Sequence, residues 1–108
     1  MRNDESKYDA ELRALKAIAS PVRMAILTDL KAPLDCFPPQ ADGDPVTDGI
    51  CADFIRERIG IAAATASRHL TILTDAGLLV ATRKKGWTFY RRDEEAIRRF
   101  VDALSQSL

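Results

Sequence analysis

The chain has 108 residues, 46% hydrophobic and 30% charged, and its 16 basic and 16 acidic side chains leave no formal net charge. Such a length suits one domain burying roughly 65% of its unfolded surface, and no apolar run approaches the roughly 20 residues of a membrane span. The charged opening stretch has no apolar core of a secretory signal, so a cytoplasmic location is expected and the two cysteines read as thiols.

Residues 1–7 are expected to form a disordered tail, and residues 8–108 a single domain. Tyr8, Leu12, Leu15 and Ile18 recur at helical spacing with Ala10, Ala14 and Ala17 between them. They predict an amphipathic first helix whose small alanines permit close approach to a neighbour. Ser20-Pro21 restarts the pattern, with Ser suited to the N-cap and Pro to the first helical position. Val22, Ala25, Ile26 and Leu30 then give a second helix its buried face.

Residues 32–49 differ in kind. Pro33, Pro38, Pro39 and Pro45 fall there with Gly43 and Gly49, which predicts an acidic loop, long enough to be either functional or mobile, with a spacer kept away from DNA as its plainest role. A short helix over residues 50–59 follows, with Phe54, Ile55 and Ile59 inward. Gly60 then permits a sharp turn, because glycine adopts positive φ without penalty. Beyond it Ala66, Leu70 and Leu73 form a buried stripe, Thr65, Ser67 and Arg68 point away from it, and Gly77 closes the helix. Two helices across a glycine turn, the second with a slim polar and basic outer face, read as a helix-turn-helix suited to a DNA major groove.

After Gly77 the period changes. Residues 78–83 and 87–91 predict a β-hairpin around a basic tip, and Asp93 caps a last helix whose stripe is Ala96, Ile97, Phe100, Val101 and Leu104. The expected order is α-α-loop-α-α-β-β-α: a mainly α winged helix-turn-helix with one β-hairpin. The apolar stripes of the first and last helices exceed what so small a core needs and point to a symmetric dimer through them.

Charge is uneven along the chain. Residues 32–55 hold five acids and no Lys or Arg, whereas residues 56–92 hold eight bases against Glu57 and Asp75. Local field rather than net charge decides whether a phosphate backbone is attracted.

With that order, the chain resembles the ArsR/SmtB family of winged-helix repressors over roughly residues 8 to 105. The segments carrying the likeness are LKAIASPVRMAIL at 15–27, IGIAAATASRHL at 59–70 and LTDAGLL at 73–79. The resemblance implies a homodimer on a palindromic operator of double-stranded DNA, blocking transcription until a signal releases it. Two departures matter: the family carries Ser then Gln where this chain has Ala62 and Ala63. Ala62 supplies no side-chain cap, and Ala63 and Ala64 offer only apolar contacts such as to a thymine methyl.

Base reading therefore falls on Thr65, Ser67 and Arg68. The Arg68 fork can grip guanine O6 and N7, with plain phosphate contact as its alternative. His69, the sole histidine, is expected at the edge of the stripe, in packing or phosphate contact. Arg83, Lys84, Lys85 and Gly86 form the wing tip facing the backbone or minor groove, with Trp87 and Tyr90 packing its base. Arg56 and Arg58 are secondary phosphate candidates.

No metal site of the family is complete. Where it has a Cys-x-Cys pair this chain reads Cys51-Ala52-Asp53, and residues 93–108 contain no histidine. No cofactor is expected. Cys36 and Cys51 leave three readings open: inert thiols, a redox or electrophile sensor, or a soft metal or metalloid site lacking a third ligand. Paired carboxylates on one element, a Ser/His/Asp set and a phosphate-cradling glycine loop are all missing, so no enzyme is expected. The alternative to a DNA-binding regulator is a winged-helix protein–protein module, which predicts no salt-sensitive DNA binding.

Overall fold

The computed structural model describes residues 7–108. The expected tail, residues 1–7, lies outside that range except for its last residue. Six helices and three strands follow in chain order: α1 Asp9–Ile18, α2 Pro21–Leu30, α3 Pro33–Cys36, β1 Ile50–Cys51, α4 Ala52–Ile59, α5 Ala63–Asp75, β2 Leu79–Lys84, β3 Trp87–Arg92 and α6 Glu94–Ser107. The strands form one antiparallel sheet in the order β1-β3-β2. This is a winged helix-turn-helix.

Local chemistry sets the helix boundaries. Ser20 accepts a hydrogen bond from the Arg23 backbone N–H at 3.3 Å and Pro21 opens α2. Asp93 accepts one from the Ala96 N–H at 3.0 Å, with Glu94 and Glu95 in the favourable first turn of α6. Gly60 ends α4 at φ 82°, and the N–H groups of Gly60 and Ile61 both reach the Arg56 carbonyl. An L-residue there would be strained, so this glycine makes the tight turn into α5.

Ile26, Ile50, Ile55, Leu70, Leu73 and Phe89 are the largest fully buried side chains; all of them but Phe89 belong to one core, which Leu79 of β2 also joins. Removing each of those six from water contributes about 1.5–3 kcal/mol.

Three expectations are corrected. Ile50 and Cys51 do not begin a helix; they form β1, paired with Tyr90 and Phe89. The hairpin strands run one residue further than expected, to Lys84 and Arg92, leaving Lys85-Gly86 as the turn. In α1, Ala14 and Ala17 make the close approach to neighbouring elements and Ile18 packs against the core, while Tyr8 and Leu12 stand 39% and 46% exposed. The alanines let α1 lie close to its neighbours, which leaves Tyr8 and Leu12 at the surface.

The third correction concerns residues 32–49, which are not loop throughout. They contain α3, bury Phe37, and fold back over the sheet. The Gln40 side chain donates to the Gly49 carbonyl at 3.0 Å and accepts from the Cys51 N–H at 2.7 Å, binding the loop to β1. Gly49, at φ +111°, passes so near β3 that a Cβ would lie 2.3 Å from the Tyr90 carbonyl carbon. Asp44 accepts the backbone N–H groups of Val46 and Thr47 at 2.8 and 2.9 Å, which closes the turn between. Those bonds, Thr47 first, hold its carboxyl below the ordinary range.

Candidate nucleic-acid interface

Burial of Ala66, Leu70 and Leu73 fixes the rotation of α5 and turns its opposite face to solvent. Ala63, Ala64, Thr65, Ser67 and Arg68 are all exposed on that face. The helix begins at Ala62 with no side-chain cap, so its first N–H groups stay available to an acceptor from outside. Arg68 makes no ion pair with another described residue. A short, small-sided outer face with one free guanidinium can approach base edges closely.

His69 is only half-exposed and is drawn inward. Its Nδ1 lies 2.9 Å from Arg23 Nη1, and Arg23 Nε donates to the Ala17 carbonyl at 2.6 Å. Burial first, then the nearby Arg23 and Arg68 charges, lower its pKa, so a neutral ring accepts from Arg23. One arginine thus fastens α5 to the end of α1. Sequence reasoning missed Arg23, whose role depends on a partner 46 residues away.

The wing is a two-residue hairpin. Lys85 and Gly86 have φ of 51° and 81°, the left-handed pair that matches the twist of the strands they join. Arg83, Lys84, Lys85 and Gly86 are exposed there, and Arg83 makes no ion pair with another described residue. The two lysines are engaged by the acidic loop. Lys84 Nζ lies 3.1 Å from an Asp48 oxygen, and Lys85 Nζ 3.6 Å from Asp42. The loop therefore offsets part of the wing's positive field.

The secondary candidates are committed elsewhere. Arg58 pairs with Asp29 at 2.9 Å, donates to the Cys36 carbonyl at 2.8 Å and lies over the Phe37 ring. The Asp29 hydrogen bond raises its pKa further. Arg56 pairs with Asp53 at 3.2 Å. Tyr90 is half-buried at the wing base, and that burial raises its phenol pKa, whereas Trp87 stands 46% exposed.

Cys36 is half-buried and Cys51 buried at the N-cap of α4; both are free thiols. Among the described residues, no three His, Cys, Asp or Glu side chains gather as a metal-ligand set. No helix among them is long and apolar enough to cross a membrane.

No family model matches the chain. A curated relative from Bacillus subtilis, the uncharacterized HTH-type transcriptional regulator YbzH, is 38% identical over 97 residues, covering 90% of this chain and 97% of its own. A Mycobacterium bovis fragment, described as the homodimeric winged helix-turn-helix DNA-binding domain of a possible ArsR-family regulator, superposes with a TM-score of 0.67. Its identity is 25%, over 99% of this chain and 86% of its own. The chain belongs to the ArsR/SmtB family of transcriptional regulators.

An ArsR-like regulator from Rhodococcus sp. RHA1 shares the fold at a TM-score of 0.69 and 19% identity, over 94% of this chain and 81% of its own. In this ArsR/SmtB member α5 occupies the recognition-helix position and β2–β3 the wing. It is a DNA-binding transcriptional regulator.

Proposed function

We propose that the protein is a homodimeric, sequence-specific repressor acting in the cytoplasm. Each protomer lays α5 in a major groove and sets the Arg83–Gly86 tip against the flanking backbone. The observation carrying this is the outer face of α5, where Thr65, Ser67 and Arg68 stand exposed on a helix start with no cap of its own. Arg68 reads a base pair and the wing supplies phosphate contacts, so affinity falls steeply with salt.

The second copy docks on α1 and α6. Leu12 and Val101 are 46% and 53% exposed there, and the Mycobacterium bovis relative is described as homodimeric. A two-fold dimer calls for a palindromic operator. Release follows a signal, for which the free thiols of Cys36 and Cys51 are the candidate receivers, by oxidation, electrophile addition or a soft metalloid. Its role is binding, with no catalytic step.

Selection of bound duplexes from a random pool, with the protein reduced and then oxidised, tests the proposal. Enrichment of an inverted repeat whose recovery drops with salt is the expected result. Salt-insensitive recovery without enrichment would overturn it in favour of a protein–protein module.

A further inference from the structure

Between the acidic loop, α4 and the wing lies a cavity of about 220 Å³ that DNA binding leaves unused. Its lining includes Phe54, Trp87 and Phe89 beside the carboxylates Asp42, Asp53 and Glu57, and no lysine or arginine among the described residues. The aromatic walls are held in place. Phe89 is 1% exposed and is wedged against Gly43, where a Cβ would come within 2.6 Å of the ring. Gln40, also at the cavity, is tied to the Gly49 carbonyl and the Cys51 N–H and so fixes the loop side.

The rim is not used up in this way. Trp87 leaves nearly half of its surface bare. Asp42 and Asp53 face Lys85 and Arg56, whereas Glu57 forms no ion pair with a described residue. Aromatic faces with a carboxylate edge favour a cation, through the ring quadrupole and direct charge attraction, and repel an anion. A cavity of about 150 Å³ takes a benzene ring, so this one has room for a single ring carrying a small ammonium group.

We propose that the cavity bounded by Phe54, Trp87, Phe89 and Glu57 binds a small organic ammonium ion of single-ring size. The site lies directly behind the wing: Trp87 pairs with Lys84 across the hairpin, and Asp42 holds Lys85.

Titration of the full chain without DNA tests this, using benzyltrimethylammonium, benzyl alcohol and phenylacetate at matched ionic strength. Calorimetry gives affinity, and Trp87, the only tryptophan, reports occupancy by its fluorescence. The ammonium probe is expected to bind saturably, at least roughly tenfold tighter than the alcohol, with phenylacetate not binding. Glu57→Gln and Trp87→Ala, both at exposed positions, are expected to weaken it severalfold in calorimetry while leaving the melting temperature near that of the parent. Equal binding of the three probes overturns the cation class. Unchanged affinity in both variants overturns the location, and no binding at roughly 10 mM overturns the site. Since no DNA is present, a negative result leaves the regulator reading standing, and failure of DNA binding leaves this one standing.

Discussion

Replacing Asp48 with Asn is expected to tighten DNA binding, although Asp48 itself touches no DNA in the proposed pose. The carboxylate accepts the Asp44 backbone N–H at 2.8 Å and grips Lys84 Nζ at 3.1 and 3.3 Å. Those two donors, the backbone one first, hold its pKa below the ordinary range, so it is charged throughout the neutral region. To reach a phosphate Lys84 must leave Asp48, and the freed carboxylate then repels the duplex. Asn keeps an acceptor for the Asp44 N–H and removes the competitor, so the turn survives. Exposed ion pairs of this kind correspond to roughly two- to fivefold per wing, which multiplies to about four- to twenty-five-fold for a dimer on one operator. The plot of log affinity against log salt also steepens, by up to about one unit for each lysine released. Fluorescence anisotropy of a labelled duplex across a salt series measures both quantities. Unchanged or weaker affinity, at an unchanged melting temperature, would refute the idea that the loop competes with phosphate.

Other substitutions probe separate links. Arg68→Ala is expected to cost about 1–3 kcal/mol of specific binding and to relax preference at one base pair; an unaltered specificity ratio contradicts base reading. Gly49→Ala forces a Cβ to within 2.3 Å of the Tyr90 backbone at positive φ, so thermal stability should fall by on the order of 3 kcal/mol, and an unshifted melt contradicts that close approach. His69 is chiefly desolvated and has a pKa below 6.5, so the unfolded chain takes up that proton first on acidification and stability falls with it. His69→Gln should therefore lose less stability than the parent between about pH 7.5 and about pH 5.5, and an equal loss in urea melts counts against it. Cys51→Ser should bind DNA as the parent does yet ignore oxidant, and a preserved response removes Cys51 from the switch.

What was readable in the sequence, and what was not, divides by range. Ser20-Pro21, Asp93 and Gly60 act within one turn of themselves, so their caps and the turn before α5 could be placed from composition alone. The stripe of Ala66, Leu70 and Leu73 likewise repeats at helical spacing and fixes the outer face of α5. β1 is two residues long and exists only through Tyr90 and Phe89, some 40 positions later, so no local periodicity announces it. The acidic loop concealed its attachment for the same reason. Phe37, a large aromatic inside a proline-rich acidic run, was the available signal that the segment has a buried anchor. The opposite charges of loop and wing were visible, but the pairings of Asp48 with Lys84 and Asp42 with Lys85 required the fold. In α1, periodicity showed an amphipathic helix, and Ala14 and Ala17 take its inner face because alanines pack closer to neighbouring helices than leucines do.

The central claim is that the exposed face of α5 and the hairpin tip together lie along a duplex. Mapping backbone amide shifts of isotopically labelled protein, on addition of a duplex at low ionic strength, addresses it most directly. The account predicts changes concentrated at residues 63–69 and 83–86, fading as salt is raised. Silence at both segments while the duplex is bound elsewhere, or not bound at all, would contradict it.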